Sequence, residues 1–162
     1  MVTTSSEPST YTDRPRIVLI LGDQLSPDIH ALKNADPDTD IVLMAEVLEE
    51  ATYVPHHKKK IAFLFSAMRH FSDELETVGW LVSYVRLTDP ENTGSLLGEV
   101  KRAVTHYGAE SVVVTEPGEY RLKAEMQTWS EDLGVEVQCV EDTGHESQPH
   151  QPLEFKHKAC QA

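Results

Sequence analysis

"RIVLILGDQL", residues 16–25, decides the fold. Six residues in this stretch read as a buried strand, which then stops at Gly22, Asp23 and Gln24. A flexible glycine, a carboxylate and an amide in a row do not extend a core. In open α/β sheets, the point where a buried strand runs out is where ligands bind, so the three polar positions raise the question of which ligand they meet.

Working outward, short β-branched runs recur: "IVLIL" 17–21, "DIVLMAEV" 40–47, "WLVSYVRL" 80–87, "SVVVTE" 111–116 and "VEVQCVE" 135–141. Five strands are expected. The first, second and fourth are almost continuously apolar, as strands covered on both faces of a parallel sheet are, and the third and fifth alternate as edge strands do. Between the second and third, Ile61, Leu64, Met68, Phe71 and Leu75 recur at helical spacing over about 58–78, predicting one core-facing stripe that closes at Val78 and a left-handed Gly79. A helix over about 93–107 ends at Gly108 and buries Leu96, Leu97, Val100 and Val104; another over about 119–133 ends at Gly134 and buries Leu122, Met126, Trp129 and Leu133. Trp80 also reads as packing.

Alternating strands and helices imply right-handed crossovers and an α/β, Rossmann-like fold: a doubly wound five-stranded parallel sheet with helices on both faces. The expected order is 3-2-1-4-5, which leaves a crevice at the ends of the first, second and fourth strands. Residues 1–14 read as a disordered lead-in, 15–143 as the α/β domain and 144–162 as a polar tail without period.

Composition excludes several classes. The net charge of −13, from 27 acidic and 14 basic residues, opposes a surface that must neutralise phosphates, so no direct nucleic-acid binding is expected of this chain alone. Cys139 and Cys160, the two cysteines, have neither CxxC spacing nor histidine neighbours, which argues against a disulfide framework or zinc site. No apolar run is long enough for a secretory signal or membrane span, so a cytoplasmic location is the default expectation.

At the crevice, Gly22, Asp23 and Gln24 after the first strand and Glu46 after the second could converge on a sugar-like or heterocyclic group, since carboxylates accept from hydroxyl and ring N–H donors and an amide does both. Alternatively Asp23 caps the following turn and Glu46 is merely solvated. GxGxxG and GxxxxGK[ST] are absent, which disfavours dinucleotide oxidoreductases and P-loop phosphotransferases. "TYVPHHKKKIAF", 52–63, places Tyr53, His56, His57 and three lysines at a helix start. Adjacent histidines do not share a helix face, so they are no zinc pair, and lysines there oppose the helix dipole, pointing to an anion or a protein surface. Glu116 and Glu119 at "EPGEYR" read as helix capping rather than acid/base chemistry. Ser26 and Ser66 lack a nucleophile-elbow context.

Together, "RIVLILGDQLS", "DIVLMAEVLEEATYVPHHKKKIAFLFSAMRHFSDELETVGW", "VRLTDPENTGS" and "VVVTEPGEYRL" closely resemble the N-terminal domain of the cryptochrome/photolyase family, nearest the iron-sulfur bacterial cryptochromes and prokaryotic (6-4) photolyases. The resemblance covers about residues 15–143, and the tail after Thr143 is expected to lie outside the family pattern. It implies an antenna domain that holds 6,7-dimethyl-8-ribityllumazine and passes excitation energy to a flavin, with Gly22, Asp23, Gln24, Glu46 and Tyr53 as pocket candidates. Family members continue into a helical domain that binds FAD, an iron-sulfur cluster and DNA. Two unclustered cysteines cannot ligate such a cluster, so the resemblance implies part of a photolyase without its own catalytic flavin centre: a truncated product, a frame-disrupted copy or one piece of a split protein. Two other readings stand beside the antenna module. One is an interaction module, or a non-functional fragment, whose partner would be a separate flavin-binding domain. The other is a small hydrolase or transferase on the same fold, for which no nucleophile–base pair is visible.

Overall fold

The computed structural model describes residues 14–52 and 57–142. In chain order the elements are β1 (Arg16–Leu19), α1 (His30–Lys33), β2 (Ile41–Ala45), α2 (Leu48–Thr52), α3 (Lys58–Thr77), β3 (Leu81–Val85), α4 (Leu96–Tyr107), β4 (Ser111–Thr115), α5 (Tyr120–Met126), α6 (Trp129–Leu133) and β5 (Glu136–Val140). The five strands form one parallel sheet in the order β3-β2-β1-β4-β5, the expected α/β topology.

Central strands that face helices on both sides have no use for polar residues, and β1, β2 and β4 are buried along almost their whole length. Register follows from this. Ile17 lies between Ile41 and Val112, and Val18 between Val42 and Val113. Because side chains alternate, Ile17, Leu19, Leu43 and Val112 join Val100 of α4 and Trp129 of α6 on one face. Val18, Ile20, Val42, Met44 and Val113 meet Leu32 of α1 and Met68, Phe71 and Leu75 of α3 on the other. Each such aliphatic side chain, fully buried, contributes about 1.5–3 kcal/mol. The edge strands β3 and β5 are only partly covered.

Helix ends follow local chemistry. Ser95 caps α4 by accepting from the Gly98 amide at 3.1 Å, which sets the start at Leu96 rather than at Thr93. Gly108 and Gly134 adopt left-handed conformations at their caps, and Gly79 follows α3 with φ +102°. His57, beside the lysines, caps α3: its Nδ1 accepts from the Lys59 amide at 3.3 Å.

Three expectations require correction. The helix expected over 119–133 is two, α5 and α6. Thr128 N–H donates to Glu125 O at 3.1 Å and its hydroxyl bonds the same carbonyl, a tight three-residue turn that breaks the axis. The apolar stripe of α3 is buried only from Met68 onward: Ile61 is half-buried and Leu64 exposed, because the first half of α3 overhangs the sheet's carboxyl edge instead of lying on it. Glu119 occupies the N-cap of α5 without a side-chain capping bond. Its carboxylate pairs with Arg121, and Glu116 pairs with Lys123. Trp80 is half-buried against the α3 face, whereas Trp129 is fully enclosed.

Candidate functional site

All five strands point their carboxyl ends to one edge of the sheet, and a cleft of about 450 Å3 opens there, within the roughly 300–1,000 Å3 typical of small-molecule sites. Its floor is made where β1 and β2 end, by Ile20, Leu21 and Gly22 and by Ala45 and Val47. The first half of α3 forms one wall with Ile61, Phe63, Leu64 and Met68; Glu50 and Ala51 of α2, Leu96 of α4 and Leu122 of α5 form the rest. Charged groups sit among them as Asp23, Glu50, Glu119 and Lys60. The sequence suggested a polar crevice; the lining is mainly apolar, with carboxylates and one lysine among the lining residues.

Gly22 and Asp23 line this cleft. Gly22 is absent from the glycines with positive φ, so its part is not conformational freedom. A Cβ at this position would stand 3.3 Å from Leu64 Cδ1 and 3.3 Å from Met68 Sδ, so the missing side chain is what keeps the floor open beneath α3. Asp23 is exposed, with Oδ2 3.8 Å from where a Cβ on Gly118 would be, beside the turn that follows β4.

Gln24 and Glu46 lie outside the lining and serve the walls. The Gln24 amide nitrogen donates to the Thr115 and Glu116 carbonyls at 2.9 and 3.2 Å, stitching the turn after β1 to the end of β4 where the ladder stops. Its Oε1 is buried without a hydrogen-bond partner. Glu46, read from sequence as either a ligand contact or a solvated end, is 0% exposed. Its Oε1 accepts from Arg69 Nε at 2.6 Å and Tyr84 Oη at 2.7 Å, and its Oε2 from Arg69 Nη2 at 2.9 Å and the Leu87 amide at 3.0 Å. One carboxylate thus joins β2, α3 and β3 immediately behind the cleft. Tyr53 lies outside the described residues.

The electrostatics of these supports are legible. Burial opposes ionisation of Glu46, but hydrogen bonds from Arg69, the Leu87 amide and Tyr84 outweigh it and hold the carboxyl below its ordinary range. Burial and the Glu46 carboxylate both push the Tyr84 phenol up, so it stays a donor. Asp40 is governed likewise: burial is outweighed by Arg16 and the Asp36 amide, and its pKa falls. Both carboxyls are therefore lowered relative to about 3.9 and 4.3 in the unfolded chain. On acidification the unfolded state takes up protons first, so the stability they supply is complete above about pH 5 and is lost as pH falls through the lowered folded values. Urea midpoints should drop between about pH 5 and 3, and Glu46→Gln should flatten that drop. Parallel profiles for the two proteins would remove Glu46 from this role.

The described residues contain no group of three or more His, Cys, Asp or Glu able to hold a metal ion, and no helix long and apolar enough to cross a membrane. Cys139 in β5 is half-buried. Sequence reasoning missed Glu50, Lys60, Phe63 and Leu122 as cleft residues. The available signal was in α3, where Ile61 and Leu64 carry the apolar period past the point where the sheet can cover it.

The family model for deoxyribodipyrimidine photo-lyase-related proteins matches residues 18–160, running beyond the boundary that periodicity places at 143. A (6-4) photolyase of Agrobacterium fabrum (strain C58 / ATCC 33970) is 50% identical over 127 residues, covering 78% of this chain. The chain spans 25% of that relative's length. A parallel 3-2-1-4-5 sheet, an apolar cleft at its carboxyl edge and these two matches agree, and the chain belongs to the deoxyribodipyrimidine photo-lyase-related protein family.

Proposed function

We propose that this chain is a light-gathering module of a photolyase-type protein and that its cleft binds a ribityllumazine-type chromophore. The observation that carries the reading is the cleft itself: about 450 Å3 of mainly apolar space over the ends of β1 and β2, with carboxylates among its lining residues. A flat heteroaromatic ring would lie against Leu64, Leu122 and the polarisable sulfur of Met68. Ribityl hydroxyls and ring N–H groups are donors, and Asp23, Glu50 and Glu119 offer carboxylate acceptors. When bound, such a chromophore absorbs light and passes the excitation to a flavin.

Flavin and lesion chemistry lie outside this α/β domain in the proposal. Among the described residues Cys139 is the one cysteine, so thiolate ligation of an iron-sulfur cluster has no site there. The flavin is supplied by a separate flavin-binding domain, for which Phe63, 75% exposed beside the cleft, and Tyr120, 86% exposed at the start of α5, offer apolar contact.

Titration of the purified protein with 6,7-dimethyl-8-ribityllumazine tests the reading. Absorption and emission of the chromophore should shift and its fluorescence anisotropy should rise at micromolar protein. Spectra that stay those of the free compound would overturn it.

A further inference from the structure

Among the walls of the cleft, α2 is fastened differently from the others. It supplies Glu50 and Ala51 to the lining but buries no residue of its own, so the apolar packing that fixes α3 and α4 is missing. Beyond its own turn, two bonds tie it to the body among the described residues. The Glu49 amide donates to Gly94 O at 3.1 Å, and Glu50 Oε1 accepts from Arg121 Nη2 at 2.9 Å.

Arg121 stands on α5, which adds Leu122 to the same lining. Its Nε donates to Glu119 Oε1 at 3.0 Å and its Nη1 to Glu125 Oε1 at 2.9 Å. A guanidinium presents its donors in a rigid planar fork, so one carboxylate at the N-cap of its helix and one within it fix the direction of the third donor, and Glu50 meets a pre-aimed partner. A lysine at this position has one rotating ammonium and cannot hold that geometry. The Arg121 and Glu50 side chains are 20% and 31% exposed. Neither side chain is fully enclosed, so solvent and salt can reach the pair.

We infer that Arg121 is a positioning residue of the cleft: from α5 it latches α2, sets where that wall stands, and so sets how long a ligand against that wall is held. The ligand half of this statement rests on the chromophore reading; the latch itself does not.

Hydrogen exchange of the full chain separates the two. Amides 49–52 should exchange about two- to fivefold faster in Arg121→Met and in Glu50→Gln, with no further gain in the double variant, an intermediate rate in Arg121→Lys and unchanged rates at Val18, Val42 and Val113. Ribityllumazine should dissociate faster from Arg121→Met by a similar factor, and salt should accelerate dissociation from the parent protein but not from the variant. Unchanged exchange at 49–52 in both single variants overturns the latch. Faster exchange with unchanged dissociation overturns its part in ligand retention. Faster exchange in a protein that binds no ribityllumazine leaves the latch standing and removes the chromophore reading.

Discussion

Glu46→Ala is expected to lower the unfolding free energy by about 2–3 kcal/mol. Breaking a fully buried ion pair costs about 3–5 kcal/mol, but Arg69 is 45% exposed and can turn to water, which trims the figure. The remainder is the stranding of donors. Tyr84 Oη and the Leu87 amide both lose their acceptor, on an edge strand and the turn after it. Glu46→Gln keeps the shape and part of the bonding and should lose about 1–2 kcal/mol. Urea unfolding at pH 7 measures both, with a lowered midpoint and an unchanged slope. A midpoint within error of the parent protein would mean that the carboxylate's bonds merely offset its desolvation.

Gly22→Leu is expected to weaken ribityllumazine binding by at least about thirtyfold, roughly 2 kcal/mol, and to cost the fold about 1–3 kcal/mol by crowding Leu64 and Met68. The substituted side chain has one direction to go. Its Cβ starts 3.3 Å from the ends of Leu64 and Met68, between the floor and α3, so its branches occupy the space a ring would need. Backbone strain is no obstacle, since Gly22 is not a positive-φ glycine, and loss of glycine's freedom in the unfolded chain partly offsets the crowding. Gly22→Ala displaces only flexible side-chain ends and should cost a few-fold in affinity. Equal affinity for all three proteins would place the chromophore somewhere other than this cleft.

How far the sequence reveals such a site depends on whether its signal is local. Strands covered on both faces announce themselves by unbroken apolar runs, and glycines at 79, 108 and 134 mark helix ends through one backbone requirement each. The parallel, doubly wound arrangement followed from the alternation of strands with helices, whereas the order 3-2-1-4-5 is one of several that alternation allows. By contrast, α1 and α2 have four and five residues, too few for any period to register. The break between α5 and α6 hides in Gln127 and Thr128, neither of which forbids a helix. At the site, Gly22 and Asp23 were legible because a strand ends there. Glu46 was legible as a position and not as a role: its partners Arg69 and Tyr84 lie 23 and 38 residues away and meet it only after the sheet forms. Arg121 was silent for the same reason, since Glu50 is 71 residues distant.

The two rims of the sheet are not equivalent. β5 turns Glu136 and Gln138 to solvent, whereas β3 opens with exposed Leu81. A charged or amide-bearing margin discourages a foreign strand from adding on, and a greasy one does not. Among the described residues, growth of this sheet by a neighbouring strand is therefore discouraged on the β5 flank and not on the β3 flank, which gives any self-association of concentrated protein a built-in polarity.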